Sequence, residues 1–428
     1  RCSNRAGLGH RGEGIARNGR DEVQSDREDM YQPPIVNFPV FSVAWATATT
    51  DGGTASPAVA VVGGGGAGKT GVGNKIALIA AAGGASPSLS IATELETSPH
   101  TYTCIAASCD GDEKKEGSPR LFAAANGPSV HVYACTVGKR ELRRLAEFQA
   151  DRAEAESGIN FMAFAPGLER ARPGRAAVLA TGGEDGVVRV WELKLAAATN
   201  ARASEADGQG GGENAKGLHA RLLWECKGHS KPVTCVRFHP SRADIVVSSS
   251  KDGSCRLWKC GGDDERVRGP TTTIPPPHTH DERTDTDRSC CVHPSGQAVF
   301  VAQSGPRGSA FVTQWDIRPA LAIASASAEP GGGNSTGNGT VATVEVSQHP
   351  ATTVSVRADG QRLAVGNVGG AVALFALPGM NKVEEFDAHD LPVTGLSFVP
   401  KAWEASMGAH DLLAGSADYK ITLLPSEG

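Results

Sequence analysis

The chain has 428 residues, a net charge of −5 and a sequence pI near 6.2, which gives no global electrostatic case for nucleic-acid binding. Hydrophobic residues make up 39%, diluted by 53 glycines and 25 prolines, so short glycine-punctuated elements are expected rather than long helices. No apolar run reaches the roughly 18 residues that a membrane-spanning helix needs.

Residues 1–32 are rich in Arg, Gly, Asp and Glu with little hydrophobic periodicity, and are expected to be disordered or an extension. The ordered domain is expected over 33–428, beginning near Ile35 and running on through Phe38-Pro39-Val40-Phe41 to Trp45. Val59 to Ile79 follows: four β-formers, the glycines Gly63, Gly64, Gly65 and Gly66, then Ala67 to Asn74, then Lys75-Ile76-Ala77-Leu78-Ile79. Gly63 to Thr70 satisfies the phosphate-loop pattern G-x-x-x-x-G-K-[ST]. That pattern needs a helix after it to supply amide donors and dipole. Gly71 and Gly73 discourage a helix, and the residues beyond read as a strand. A strand, a glycine-rich excursion and a returning strand are therefore expected, and no nucleotide is expected to bind this chain.

Further strand-like runs recur in units. The second unit spans Tyr102–Ala106, Leu121–Ala125 and Val130–Tyr133, and the cluster Lys139, Arg140, Arg143 and Arg144, interrupted by Glu141 and Glu147, is expected to be a solvated connection after it. The third covers Ile159–Pro166 and Ala177–Trp191, and the fourth Lys227–Pro240 and Ile245–Trp258. The fifth starts at Ser289, the sixth at Thr353 and the seventh at Ala388. Such a repeat outranks any single motif. In the fourth unit Gly228-His229, Ser248, the turn Lys251-Asp252-Gly253 and Trp258 resemble the WD-repeat signature, in which His229, Ser248, Asp252 and Trp258 would form a hydrogen-bonded structural tetrad within one blade. Thr181, Asp185 and Trp191 hold matching offsets in the third unit; the seventh keeps His389 and Asp418 but has Leu424 in place of Trp.

With Val59–Ile79 in the first unit, the expected fold is all-β: a seven-bladed WD-repeat β-propeller with a glycine-rich loop projecting from the first blade. The N-terminal strand near Ile35 to Val40 is expected to complete the last blade. Residues 196–220, 261–288 and 322–340 are expected to be flexible insertions. His278 and His280, beside three prolines, read as solvated, and the ten cysteines form no Cys-x-x-Cys pair and argue for a reduced environment without a zinc site. The chain begins at Arg1 and stops after a strand-like run at Ile421–Leu424, and is expected to be a fragment.

Specifically over residues 60–79, and as architecture over most of 35–424, the sequence resembles the ER-membrane WD-repeat guanine-nucleotide exchange factors for the COPII small GTPase, the prolactin regulatory element-binding protein-like family. The matching residues are Gly63 to Gly66, Gly71 and Asn74, followed by Lys75-Ile76, with Phe38-Pro39-Val40-Phe41 similar to the family's entry strand. The resemblance implies an exchange factor that releases GDP without covalent chemistry, using loop 63–74 as a wedge. It implies GTPase contact by Asn74, Gly71 and Thr70, with Asn74 foremost and Lys69 and Thr70 weaker candidates. It implies a potassium ion held by carbonyls of Gly63, Gly64, Gly65 and Gly66. It also implies the cytosolic face of the endoplasmic reticulum membrane, reached through a C-terminal anchor missing from this chain. The alternative is a generic WD-repeat interaction scaffold, in which Asn74 merely tolerates a positive φ.

Overall fold

Short runs of alternating apolar and small residues, broken at Gly, Asp and Asn turns, pair with their sequence neighbours into seven successive antiparallel sheets. The computed structural model describes residues 36–49, 55–66, 71–83, 87–108, 120–135, 142–151, 158–166, 176–195, 218–261, 267–274, 286–304, 308–325 and 339–426. All of these belong to one unit, Pro34–Gly428. The extension 1–32, the loop residues Lys69 and Thr70, and His278 and His280 lie outside the described residues.

The first blade contains β1 (Val40–Thr49), β2 (Ala55–Gly63), β3 (Lys75–Ala82) and β4 (Ser88–Glu96). The second contains β5 (Cys104–Ala107), β6 (Arg120–Asn126), β7 (Ser129–Cys135) and β8 (Leu142–Gln149). The third contains β9 (Ile159–Phe164), β10 (Ala177–Gly183), β11 (Val188–Leu195) and β12 (Leu218–Cys226); the fourth begins with β13 (Val233–His239), β14 (Arg242–Ser250) and β15 (Cys255–Lys259). After β16 (Val267–Arg268), which joins the third blade parallel to β12, β17 (Thr272–Ile274) completes the fourth. The fifth blade holds β18 (Thr286–Val292), β19 (Ala298–Ser304), β20 (Ala310–Asp316) and β21 (Thr340–Ser347). The sixth holds β22 (Ala351–Val356), β23 (Arg362–Asn367), β24 (Ala371–Ala376) and β25 (Asn381–Asp387). The seventh has three strands among the described residues: β26 (Val393–Phe398), β27 (Leu412–Ser416) and β28 (Ile421–Leu424).

Together these sheets form a seven-bladed β-propeller. The core lies between successive blades: Ile76 and Leu78 of the first pack with Tyr102 and Phe122 of the second, and Val190 of the third packs with Trp258 of the fourth. The seventh blade meets the first directly, since Thr394 Oγ1 donates to Val40 O at 2.8 Å and Trp45 Nε1 donates to Ser397 O at 3.0 Å. Gly395 and Gly415 leave no room for a Cβ, which would come within 2.7 Å of Val43 side-chain carbons. The expected closure is met in part: the N-terminal segment lies beside the seventh blade, but residues 36–39 form no strand. Val40 opens the innermost strand of the first blade, and upstream of it Val36 N–H reaches Tyr419 O at 2.9 Å beside the seventh.

Other expectations need correction. Segment 261–288 contains β16, β17 and the start of β18, so it does not run as one loop. Residues 218–220 open β12, and 322–325 continue a helix, α1 (Arg318–Ser325); β21 begins at 340. Arg143 and Arg144 sit on β8, where Leu142, Leu145 and Ala146 face inward and the arginines face solvent, so these two belong to a blade edge and not to a connection; Lys139 and Arg140 lie outside the described residues.

The fourth-blade tetrad forms as a chain of hydrogen bonds. Trp258 Nε1 donates to Ser248 Oγ at 2.8 Å, Ser248 Oγ is 2.8 Å from His229 Nε2, and His229 Nδ1 is 3.0 Å from Asp252 Oδ2. A neutral imidazole with its proton on Nδ1 satisfies all three contacts. Burial acts to raise the Asp252 carboxyl, but hydrogen bonds from His229 and Ser254 outweigh it and hold the group well below the usual carboxylate range. In the third blade Trp191 Nε1 likewise donates to Thr181 Oγ1 at 3.1 Å. The seventh blade keeps His389 beside Asp418 at 3.1 Å, but Ala414 stands where the fourth has Ser248, and His389 Nε2 is buried without a hydrogen-bond partner among the described residues. Ala414→Ser should therefore supply the missing hydroxyl and raise stability by about 1 kcal/mol, read as a higher urea midpoint at unchanged slope.

Burial also lowers the imidazoles of His131, His229, His239 and His389 below the ordinary histidine range. Unfolding then takes up protons that the folded chain refuses, so their contribution is complete above about pH 6.5 and declines below it. Asp252, depressed when folded, adds a loss below about pH 4. Thermal midpoints should fall steadily from pH 7.5 to pH 5, and His229→Asn should flatten part of that slope.

Candidate functional site

The first-blade loop begins where the β2–β3 ladder ends at the Gly63–Lys75 pair. Gly63 is already in close quarters, because a Cβ there would fall 1.8 Å from Pro39 O. Gly64 N–H donates to Pro39 O at 3.1 Å and takes φ +146°, a conformation that side chains oppose. Gly66 and Gly71 also have positive φ, and Gly71 is exposed. Residues 67–70 lie outside the described residues, so the placement of Lys69 and Thr70 is not part of this geometry.

Asn74 is 3% exposed. Its Oδ1 accepts from Gly66 N–H at 3.1 Å and its Nδ2 donates to Gly66 O at 3.2 Å, closing both ends of the loop through one amide. The side chain faces inward, and its φ is not among the positive ones. In this arrangement the side chain braces the loop from within, and the alternative of a tolerated positive φ does not hold. A second brace comes from the connection into the second blade. Thr97 N–H donates to Asn74 O at 2.8 Å, Asn74 N–H donates to Ser98 Oγ at 3.4 Å, and Ser98 Oγ donates to Glu96 at 2.6 Å. Glu96 also crowds the loop, since a Cβ at Gly73 would lie 2.6 Å from its Oε2. Glu96, Thr97 and Ser98 escape a sequence reading because they end and follow a separate strand and carry no motif.

The brace leads on to a polar cluster in the second blade. Asn126 Oδ1 accepts from Thr101 N–H at 3.2 Å, and Tyr102 Oη lies 2.5 Å from His131 Nδ1 and 2.6 Å from Tyr133 Oη. Burial pushes both tyrosine hydroxyls up, so they stay protonated and act as neutral hydrogen-bonding groups. This cluster anchors the loop's supporting connection to the blade interface. Residues 75–82 form a strand, so the helix that a phosphate loop requires is replaced there.

A second concave feature lies on the axis. Residues of β1, β5, β9, β13, β22 and β26 enclose a cavity of about 390 Å³. Apolar groups such as Phe161 and Phe238 line it together with Ser42, Thr353, Thr394 and one arginine, Arg237. The loop and this arginine sit toward opposite faces. The loop joins second and third strands, whereas Arg237 lies two residues before the end of β13, near the turns joining first and second strands.

Comparison with known proteins locates the repeats. The profile described as WD domain, G-beta repeat matches residues 148–192 and 220–259, which hold the Trp191 and Trp258 contacts just described. The ring and its repeats fit a WD-repeat family. A coronin-like protein, crn1, of Schizosaccharomyces pombe is 31% identical over 83 residues, covering 19% of this chain and 12% of that protein. Pre-mRNA-processing factor 19 homolog 2 of Arabidopsis thaliana is 25% identical over 191 residues, 45% of this chain and 31% of its own length. Pre-mRNA-processing factor 19 of Oryza sativa subsp. japonica is 27% identical over the same length and shares. The WD-repeat propeller thus spans about a third or less of the curated relatives it matches.

Proposed function

We propose that this WD-repeat propeller is a protein-interaction platform whose principal contact element is the first-blade loop. The observation that carries this is the double hydrogen bond between Asn74 and Gly66, which rigidifies a glycine-rich excursion on a buried sheet. Pre-ordering of that kind lowers the cost of binding. The coronin-like and pre-mRNA-processing relatives support the platform reading at the level of the repeat; they lend nothing to a more specific one.

A finer reading rests on the resemblance over residues 60–79: exchange activity on the COPII small GTPase at the endoplasmic reticulum membrane, without covalent chemistry. A GTPase holds nucleotide through ordered switch segments. A wedge that favours the nucleotide-free state accelerates release tenfold for each 1.4 kcal/mol of differential binding. Here Gly71 is exposed and suits close backbone approach, while Asn74 braces Gly66. Neutral carbonyls of Gly63 to Gly66 suit a weakly hydrated cation such as potassium, with the Glu96 carboxylate set against Gly73. When bound, that ion would hold loop carbonyls together.

The experiment is release of labelled GDP from the COPII small GTPase, with and without this chain, in potassium and in sodium. Acceleration that weakens in sodium is expected. No acceleration by folded protein removes the finer reading, and failure of the GTPase to bind at all removes it together with its partner.

A further inference from the structure

The axial cavity carries one charge on described side chains, and that charge has no counterion among the described residues. Arg237 projects from β13 into the cavity, with its guanidinium carbon 4.3 Å from the centre of the Phe161 ring. No described residue gives the guanidinium an ion pair or hydrogen bond. Elsewhere in the propeller buried arginines are paired: Arg189 meets Asp185 and Glu225, and Arg357 meets Asp359 and Asp411. The remaining polar groups around the cavity are neutral and largely engaged. Thr394 Oγ1 donates to main-chain oxygens, and Ser42 Oγ accepts from Ile105 N–H.

We propose that the axial cavity is a docking site for an extended peptide segment of a partner protein bearing one acidic side chain, whose carboxylate pairs with Arg237. The guanidinium fork matches a carboxylate bidentately, and stacking on Phe161 fixes its plane before the ligand arrives. Lined otherwise by apolar and neutral groups, the cavity excludes enough water to strengthen that pair. A single cation balances one carboxylate. A phosphate would bring nearly two charges and leave one uncompensated in an apolar setting. The volume of about 390 Å³ accommodates two or three side chains, so apolar neighbours of the acid would fill the rest. This deepens the platform reading and is independent of the first-blade loop, which lies toward the opposite face.

The test is selection of a random 12-residue peptide library on the whole chain, followed by synthetic peptides measured by fluorescence anisotropy. Enriched peptides should share an Asp or Glu at one position. Changing that acid to its amide, or Arg237→Gln in the protein, should weaken binding at least tenfold, while Gly64→Ala leaves it unchanged. Arg237→Glu should restore binding to the peptide carrying Lys at that position, which also shows that the variant is folded. Peptides without a fixed acid, or equal binding to wild type and Arg237→Gln, overturn the site. A phosphoserine peptide binding tenfold better than its Glu counterpart overturns the carboxylate assignment. Loss of peptide binding by Gly64→Ala places the contact on the loop and leaves the platform reading standing without this site.

Discussion

Arg189→Met is expected to destabilise the propeller by about 3–5 kcal/mol, a fall in melting temperature of about 5 °C for a domain of this size. Arg189 is 4% exposed, and it gathers acidic groups from three stretches of chain. Its guanidinium reaches Asp185 Oδ2 at 2.6 Å and Glu225 Oε1 at 3.2 Å, donates to Ala150 O at 3.1 Å, and lies 4.0 Å from Asp151 Oδ1. Asp151 is itself fully buried. Methionine keeps the aliphatic volume but removes the cation, leaving carboxylates gathered in a site that water reaches poorly. The cost is the desolvation of stranded charge, and exceeds the worth of any one contact. Adding Asp185→Asn and Glu225→Gln to Arg189→Met should recover a large part of the loss, because it removes the charges left behind. A loss below about 1 kcal/mol for the single variant would mean that solvent screens the cluster as it screens a surface pair. Urea unfolding at constant slope is the measurement.

This network marks the limit of what sequence alone conveys. Asp185 is legible as a turn residue at a WD-repeat offset, and so is Trp191. The pairing of Arg189 with Glu225 and the approach of Asp151 join positions up to 74 apart, and depend on where Asp151, just past β8, meets the third blade. The blades themselves are legible because short apolar runs recur between turn residues, and the third and fourth carry Asp185-Gly186 and Asp252-Gly253 at matching offsets. Strand β8 is hidden by its arginines, since only Leu142, Leu145 and Ala146 signal an inward face. Strands β16 and β17, two and three residues long, are too short to show any period inside 261–288. At the loop, the glycines announce unusual backbone geometry, and Gly64 and Gly66 do take positive φ. The inward turn of Asn74 is not legible, because its partner is the main chain of Gly66 and backbone groups leave no mark in composition.

That inward turn makes the loop testable whatever its partner. Asn74→Ala leaves Gly66 N–H and Gly66 O without their side-chain partner. At about 1 kcal/mol for each hydrogen bond, the braced form loses about 2 kcal/mol relative to looser ones, or about thirtyfold in population. Proteolysis within residues 64–74 should quicken by a similar factor, since cleavage follows the open population. Exchange activity on the COPII small GTPase, if carried by the wedge, should fall about thirtyfold in parallel. Gly64→Ala should do at least as much, because its Cβ would lie 2.3 Å from Asn74 Oδ1 and its φ is +146°. Gly71→Ala is the contrast. Its φ is +77° but nothing lies within 4 Å of the added carbon, so only backbone strain of about 1 kcal/mol is incurred. The β2–β3 ladder ends before the loop, and all three variants should keep their circular dichroism and a cooperative melt. Equal protease sensitivity in Asn74→Ala and wild type would show that the amide does not hold the loop. Faster cleavage together with unchanged partner activity would separate the loop's rigidity from its function, and move the contact surface to another part of the propeller.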